Sequence, residues 1–297
     1  MRDCLKDYCF ELSDAEVLQA IDTILAGASG KASEKVYKEC FSFMDLTTLK
    51  GEDTPSGVKA FVEKVGRIGK QFPSYPLPAS ICVYPNFASI VRDNRCSPEL
   101  HVTCVSGAFP SAQSFLDVKV AECGLAVEQG ADEIDVVLPL NAFLDGDYDR
   151  AFGEIAAMRS AVDKAASGQG RKAVLKVILE TGLLDSAELI ARASFLAMEA
   201  GADFIKTSTG KVAVNATPQA AYVMCRCIRE YYEKTGRKVG FKAAGGISNA
   251  GDALGYYCIV LSVLGEGWLD RDGFRLGVSR LGNDLMSAIE QKTVKFF

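Results

Sequence analysis

Two stretches of the chain share one pattern: AVEQGADEIDVV at residues 126–137 and AMEAGADFIKTS at residues 197–208. Each contains the end of a helix-like segment, a Gly-Ala-Asp turn and the start of an apolar strand-like run. The second stretch begins 71 residues after the first, which suits two successive strand-and-helix units. The repeat therefore predicts parallel strands joined by helices, with Asp135 and Lys206 at the same position of their strands.

Similar units recur on both sides of this pair. Strands are predicted at residues 42–47, 79–84, 101–106, 132–138, 173–180, 202–208, 238–244 and 273–279. Helices are predicted after them at residues 54–68, 88–95, 111–129, 148–166, 185–200, 217–234, 248–265 and 280–292. Eight such units are typical of the (β/α)8 TIM barrel, and we predict this α/β fold. A doubly wound open sheet is the alternative, but no G-x-G-x-x-G follows an early strand.

An amphipathic helix is predicted ahead of the barrel, at residues 14–25. A capping box of Ser13 and Glu16 precedes it. The apolar residues on one face of this helix are Val17, Leu18, Ile21, Ile24 and Leu25. We therefore expect an N-terminal helical extension at residues 1–40 and a catalytic barrel domain at residues 41–297.

Composition restricts the partners. The chain has a net charge of −5 and no run of Lys and Arg, so neither nucleic acid nor an anionic membrane surface is expected. Its first twenty residues mix both charge signs, unlike a secretory signal or an anchor. Ten cysteines without CxxC spacing and the single His101 argue against a Cys/His zinc site. We expect a cytoplasmic protein with reduced thiols that acts on small molecules.

Alternation along the strands predicts which side chains face the barrel interior. Lys176, Lys206 and Lys242 fall on the inward face of the fifth, sixth and seventh strands. Asp135 faces inward from the fourth strand. Burial of one unpaired ammonium costs several kcal/mol, so packing alone does not explain three inward lysines. Asp135 by itself could equally be a structural partner of Lys176.

Such a cluster suits imine chemistry. Burial and a neighbouring cation both lower a lysine pKa from its usual value of about 10.4, which frees the amine to attack a carbonyl. Lys206 beside Lys242 meets both conditions, and Asp135 is the candidate proton shuttle. Glu180 is a weaker candidate, because it could instead cap a loop or pair with Lys176.

Small glycine-containing turns follow the last three strands. They read Ser208-Thr209-Gly210-Lys211, Gly245-Gly246-Ile247-Ser248 and Gly277-Val278-Ser279. Backbone N–H groups in such turns bind phosphate, and barrel enzymes commonly bind phosphate after strands 7 and 8. The turns therefore predict a phosphorylated substrate.

These motifs resemble the deoxyribose-phosphate aldolase family. The resemblance covers residues 40–290 and is carried by MDLTTL (44–49), SICVYP (80–85), GADEIDVVLP (130–139), LKVILETG (175–182), GADFIKTSTGKVAVNATP (201–218), VGFKAAGGIS (239–248) and FRLGVS (274–279). It implies a class I aldolase, a lyase of deoxyribonucleotide and carbohydrate catabolism, that reversibly cleaves 2-deoxy-D-ribose 5-phosphate to D-glyceraldehyde 3-phosphate and acetaldehyde. It implies no metal and no cofactor beyond the covalent lysine intermediate.

The resemblance also assigns residues. It implies that Lys206 forms the Schiff base, that Lys242 tunes it and that Asp135 relays protons. Together with the turns and the strand alternation, it gives the expected substrate-binding set: Asp45, Thr47, Lys176, Thr209, Gly210, Lys211, Gly245, Gly246, Ser248, Gly277 and Ser279. The expected partners are a phosphorylated sugar and short aldehydes, and the assembly considered is a homodimer.

The chain departs from the family at several loops. Ser248 stands where the family often has arginine, Arg280 replaces a serine, and residues 106–111 read SGAFPS where N-F-P-x-G is commoner. The chain ends in Lys-Phe-Phe rather than in a tail with a terminal tyrosine. These departures motivate an alternative, a catalytically weakened phosphosugar-binding or partner-binding barrel. A metal-dependent epimerase or class II aldolase is a further alternative, which the single histidine disfavours. Cys82 is expected to pack rather than to line the site.

Overall fold

The computed structural model describes residues 5–8 and 13–297, and its centre is a closed barrel of eight parallel strands. The strands are β1 (Met44–Thr47), β2 (Ser80–Val83), β3 (His101–Val105), β4 (Glu133–Val137), β5 (Val174–Ile178), β6 (Phe204–Lys206), β7 (Gly240–Ala244) and β8 (Phe274–Val278). Each strand pairs with the next in chain order, and β8 pairs with β1 to close the barrel. The predicted (β/α)8 barrel is confirmed, and the doubly wound alternative is wrong.

Helices surround the barrel. They are α1 (Asp14–Ala26), α2 (Glu34–Ser42), α3 (Pro55–Gly66), α4 (Ile68–Gln71), α5 (Ala88–Asn94), α6 (Leu116–Glu128), α7 (Leu140–Leu144), α8 (Tyr148–Gly168), α9 (Ala187–Glu199), α10 (Pro218–Thr235), α11 (Ala250–Leu264) and α12 (Leu281–Glu290). The prediction missed α2 and α7. It also began α6 at residue 111, whereas residues 111–115 form a loop in which Ala112 has a left-handed φ of 55°.

The two faces of the strands differ in chemistry. Outward side chains such as Ile134, Val177 and Phe241 are fully buried in one apolar cluster between the barrel and the helices. Inward positions instead carry acids and bases, among them Glu133 and Arg275. Because branched apolar side chains usually fill a TIM barrel, this ionic interior marks the part of the molecule to examine for function.

The N-terminal helices pack on the outer layer of the barrel. Helix α1 contacts α10 and α11 through the buried Val17 and Ile21, whereas Leu18 is half-exposed. Helix α1 follows Ser13, but the Ser13 side chain makes no capping hydrogen bond, so the predicted capping box is wrong. Helix α2 spans residue 40, where the boundary between the extension and the barrel domain was predicted, and this domain boundary stays a prediction. Residues 1–4 and 9–12 of the predicted extension lie outside the described residues.

No helix in the described part of the chain combines the length and the apolar composition needed to cross a membrane. None of the eight cysteines between residues 13 and 297 forms a disulfide.

Candidate active site

Asp135 is the centre of the buried cluster. Its Oδ2 accepts hydrogen bonds from the Nζ atoms of both Lys206 and Lys242, each at 2.8 Å. Its Oδ1 accepts from Lys176 Nζ at 3.0 Å. The four side chains that strand alternation predicts to face inward thus contact one another. Asp135 and Lys206 do so although their strands, β4 and β6, are not adjacent.

A second layer of charges lies beneath this centre. Asp45 Oδ2 lies 2.5 Å from Lys242 Nζ, and Asp45 Oδ1 accepts from Arg275 Nη1 at 2.7 Å. Arg275 also donates through both Nη atoms to Glu133, at 2.7 and 3.1 Å, and Lys176 pairs with the same carboxylate. Sequence reasoning missed Glu133 and Arg275, although both have the inward parity, two residues before Asp135 and Gly277.

The three lysines differ in how easily they lose a proton. Burial lowers the pKa of Lys206, and Lys242 adds to this effect against the opposing charge of Asp135. Burial acts in the same direction on Lys176 and Lys242, but there Asp135 together with a second carboxylate outweighs it, so the pKa of each is raised. Lys206 is therefore the lysine of this cluster that most readily becomes a free amine.

A cavity of about 280 Å³ lies above the cluster, at the C-terminal ends of the strands. The predicted site residues that line it are Thr47, Lys206, Thr209, Gly210, Lys211, Gly245, Gly246, Gly277 and Ser279. The predicted residues Asp45, Asp135, Lys176 and Lys242 are fully buried and do not line it. Ser248 also lies outside the lining, and its backbone N–H donates to Asp252.

The cavity lining also contains residues that the sequence did not indicate. Thr48, Leu49 and Lys50 come from the loop after β1, and Asn215 comes from the loop after β6. Lys211 Nζ donates to the carbonyl of Leu49 at 2.6 Å, which joins these two loops. A local sequence pattern cannot predict this contact, because the two residues are 162 positions apart in the chain.

Glu180 fixes the loop after β6. Its buried carboxylate accepts from the backbone N–H of Thr209 at 3.0 Å and from Thr209 Oγ1 at 2.5 Å. Thr209 Oγ1 in turn accepts from the backbone N–H of Lys211 at 3.0 Å. Glu180 has a left-handed φ of 55°, which is costly for a residue with a Cβ. Of the two structural roles considered for Glu180, capping a loop or pairing with Lys176, the structure shows the loop cap.

Glycine conformation shapes the loop after β7. Gly245 and Gly246 have φ values of 83° and 80°, a region that side chains rarely adopt. A Cβ on Gly245 would lie 2.7 Å from Asn215 Oδ1, so the two loops approach too closely for any larger residue. The backbone conformation therefore requires glycine at both positions, and both residues also line the cavity.

An apolar cluster adjoins the cavity at Leu49. Leu49, Cys82 and Val105 pack together, and Phe109 of the SGAFPS segment covers them. Cys82 is fully buried and outside the cavity lining, as packing predicts, and burial raises the pKa of its thiol.

The last residues of the chain fold back along α12. Asn283 Oδ1 accepts from the backbone N–H groups of Phe296 and Phe297, each at 2.8 Å. Neither phenylalanine lines the cavity. Within residues 5–8 and 13–297, no three His, Cys, Asp or Glu side chains are grouped so as to hold a metal ion.

A barrel with ionisable groups at the C-terminal ends of its strands, under a cavity walled by glycine-rich loops, has the architecture of a TIM-barrel enzyme. The chain belongs to the DeoC/LacD family of aldolases, whose sequence profile matches residues 41–254. It is therefore an aldolase, a carbon–carbon lyase.

Relatives with known names are similar in sequence to most of this chain. The deoxyribose-phosphate aldolase of Mus musculus is 37% identical over 297 residues, covering 93% of this chain and 88% of the relative. That of Homo sapiens is 38% identical over 264 residues, covering 82% and 77%. A crystal structure of a Toxoplasma gondii protein has the same fold, with a TM-score of 0.72, 24% identity, and coverage of 87% of this chain and 95% of that chain.

Proposed function

We propose that the protein is a class I aldolase that reversibly cleaves 2-deoxy-D-ribose 5-phosphate to D-glyceraldehyde 3-phosphate and acetaldehyde, through a Schiff base at Lys206. One observation carries the proposal. Of the three lysines around Asp135, Lys206 alone lines the cavity, and it alone has a lowered pKa. The names of the mouse and human relatives supply the substrate.

The reaction follows from a free amine at Lys206. The amine adds to the C1 aldehyde, and loss of water gives an iminium. When the C2–C3 bond breaks, its electron pair enters the iminium to give an enamine. The C3 hydroxyl loses its proton as C3 becomes the aldehyde of glyceraldehyde 3-phosphate. Protonation of the enamine at C2, followed by addition of water, releases acetaldehyde and restores the amine.

The proposed proton path runs through one oxygen. Lys206 and Lys242 both donate to Asp135 Oδ2, so a charged Lys242 can return a proton to the neutral Lys206 amine through this oxygen without solvent. The raised pKa of Lys242 keeps this neighbour charged while Lys206 reacts. In this scheme Lys242 tunes the nucleophile, and Asp135 holds both amines in place.

We propose that the glycine-containing loops bind the phosphate group. Gly210, Gly245, Gly246 and Ser279 line the cavity together with Lys211. Backbone N–H groups and an ammonium suit a phosphate dianion. Thr47, which lines the cavity from β1, is proposed near the sugar hydroxyls, and Asp45 is buried beneath it and pairs with Lys242. We propose that the reaction needs no metal or other cofactor, that the enzyme acts in the cytoplasm in deoxyribose phosphate catabolism, and that it assembles as a homodimer.

The decisive experiment is to trap the imine. Incubation with acetaldehyde or 2-deoxyribose 5-phosphate in the presence of borohydride should reduce the iminium to a stable secondary amine on Lys206, which peptide mass mapping locates. A Lys206→Leu variant should give no adduct and no turnover. Tight binding of the phosphosugar without any adduct on Lys206 would instead favour the alternative of a weakened phosphosugar-binding barrel.

Chelation separates the proposal from the metal-dependent alternatives. Cleavage of 2-deoxyribose 5-phosphate should be unchanged after exhaustive treatment with EDTA. Loss of activity that Zn²⁺ or Mn²⁺ restores would point to a class II aldolase or a metal-dependent epimerase.

A further inference from the structure

The ionisable side chains inside the barrel form a set whose charges can be counted. Seven of them contact one another among the described residues, and all are at least 96% buried: Asp45, Glu133, Asp135, Lys176, Lys206, Lys242 and Arg275. Three are acids and four are bases. If all are ionised, the barrel interior holds one uncompensated positive charge.

The contacts show which base is in excess. Arg275 contacts Asp45 and Glu133, and Lys242 contacts Asp45 and Asp135. Lys176 contacts Glu133 and Asp135 and lies 3.9 Å from Asp45. Each of these three bases thus contacts at least two of the three carboxylates. Lys206 contacts Asp135 alone, and that carboxylate already serves two other lysines.

We infer that Arg275 and Glu133 are positioning residues for the reaction, because they complete a balanced set of three cations and three anions that leaves Lys206 as the unmatched base. Neither residue lines the cavity. The inference rests on the proposed function, since it concerns how the proposed nucleophile is kept neutral.

A net charge in a buried cluster is costly, and loss of one proton removes it. Of the four bases, Lys206 has the fewest carboxylate contacts and releases its proton at the smallest cost. The pKa directions agree: burial opposes the charge of Arg275, but Glu133 and Asp45 outweigh it and raise its pKa. Burial likewise opposes the charge of Glu133, but Arg275 and Lys176 outweigh it and lower its pKa.

Other groups face the cluster without entering the count. On β2, Cys82 is a buried thiol whose pKa is raised, so it carries no charge. At the opposite mouth of the barrel, His101 contacts Glu133 with a side chain that is 39% exposed, and Arg275 Nε donates to the carbonyl of Arg271. Lys50 and Lys211 line the cavity, where solvent screens them, and the buried carboxylate of Glu180 is held in its loop cap by Thr209.

The test measures how the reactivity of Lys206 depends on pH. The rate of adduct formation with acetaldehyde and cyanoborohydride would be followed by mass mapping of Lys206 in the full-length enzyme and in the Arg275→Gln, Glu133→Gln and Arg275→Lys variants. Removal of the positive charge of Arg275 should raise the midpoint of the pH profile. Removal of the negative charge of Glu133 should lower it. Each shift should be on the order of one pH unit, the size expected for one buried charge that does not touch Lys206.

The opposite signs separate charge from structure. Arg275 and Glu133 are hydrogen-bonded to each other, so mere loosening of the barrel would move both profiles in the same direction. Arg275→Lys keeps the charge and should keep the unaltered midpoint. Shifts of equal sign, or an unshifted Arg275→Gln profile, would overturn the inference.

Two further results have a defined meaning: a variant that does not fold and an unaltered enzyme that gives no adduct. If Arg275→Gln does not fold, Glu133→Gln decides, and a midpoint that is unchanged or raised overturns the inference. If the unaltered enzyme gives no adduct on Lys206 at any pH, it is the proposed function that fails. An adduct with the ordinary pH dependence of an exposed lysine leaves the function standing and overturns the charge balance.

Discussion

At the scale of single residues, Asp135 is bound so tightly by cations that it is a poor store for a proton. Burial opposes its charge, but Lys176, Lys206 and Lys242 outweigh burial and hold its pKa far below the usual range. In the proposed reaction, a proton that the charged Lys242 returns to the Lys206 amine would therefore pass along Oδ2 without resting on the carboxylate. Its main contribution would be to fix the positions of two amines, which is different from the shuttle that a free aspartate would provide.

The two lysines on Asp135 Oδ2 should have opposite effects on stability. The pKa of Lys206 is lower in the folded protein than the unfolded value, so below the unfolded pKa of about 10.4 its charge opposes folding. Lys206→Met should therefore raise the free energy of unfolding at pH 7. Lys242→Met breaks buried ion pairs with Asp45 and Asp135 and should lower it by about 3–5 kcal/mol.

Urea unfolding at pH 7 checks this pair of variants. The control is Lys59→Met, because the Lys59 side chain is 55% exposed and the change should stay within about 0.5 kcal/mol. Equal destabilisation by Lys206→Met and Lys242→Met would contradict the assignment of Lys206 as the unmatched base.

At the scale of elements, the strands were predictable and the loops were not. Period-two alternation fixes the direction of a side chain once the strand is identified, so Lys176, Lys206 and Lys242 were placed correctly from sequence. The same rule also points Glu133 and Arg275 toward the barrel interior. Loops follow no such period: Ser248 was assigned to the cavity and lies outside it, whereas Lys50 lines it next to Leu49, the residue whose carbonyl accepts from the distant Lys211.

The turn after β5 supports the loop after β6 through a close approach at Gly182. A Cβ on Gly182 would lie 2.0 Å from the carbonyl oxygen of Val214. Gly182→Ala should push apart the loop that carries Lys211 and Asn215 and lower kcat/KM for 2-deoxyribose 5-phosphate about tenfold or more, since small displacements of binding groups are costly. Steady-state kinetics would measure this effect.

The matched control for Gly182 is Gly153→Ala in α8. No atom lies within 4 Å of a Cβ at Gly153, and alanine is the better helix former by about 1 kcal/mol. This variant should retain full activity. Equal kinetics for both variants would mean that the close approach at Gly182 does not position the loop.

Lys50 should contribute to recognition of the phosphate group. It lines the same cavity as Lys211 and Ser279 and adds a second cation to its wall. Lys50→Met should raise KM for 2-deoxyribose 5-phosphate about fivefold to tenfold, the value of one partly screened charge-assisted contact. Activity on unphosphorylated 2-deoxyribose should change little.

Comparison of the two sugars makes the Lys50 result interpretable. A loss that is the same for both substrates would show that Lys50 acts on the fold or on the chemistry rather than on phosphate. Lys59→Met serves again as control, because Lys59 pairs with Glu63 on α3 and does not line the cavity.

At the scale of the whole molecule, stability and chemistry occupy different shells. The large apolar cluster lies between the strands and the helices, where Val136, Leu175 and Ile205 are fully buried. The barrel interior holds the ionic set. Loss of apolar packing would therefore unfold the protein, whereas a change of protonation inside the barrel affects folding and reactivity together.

Acid should destabilise the protein steeply. For Asp45, Glu133 and Asp135, burial opposes ionisation, but the neighbouring bases outweigh it and hold each pKa below its unfolded value. The stability that they provide is fully present above the unfolded pKa of about 4 and is lost as the pH falls below it. Three carboxylates that each take up a proton on unfolding give a slope of about 4 kcal/mol per pH unit.

Urea midpoints measured between pH 6 and pH 3 test this slope. The unfolding free energy should be nearly flat down to about pH 5 and should then fall, as set by the reference values of the carboxyl groups. A gradual decline of less than about 1.4 kcal/mol per pH unit, which is the value for a single group, would mean that these acids are not ionised together in the folded protein.

The shared carboxylates also constrain how this barrel can evolve. Six strands contribute to the ionic set, from Asp45 on β1 to Arg275 on β8, and each member has more than one partner or shares its partner with others. A random substitution at any of these positions strands a charge elsewhere, so mutations here should be strongly epistatic and tolerated only in compensating pairs such as Asp45 with Lys242. Activity on new substrates should therefore evolve first through changes in the loops, while the ionic set of the barrel interior stays unchanged as a unit.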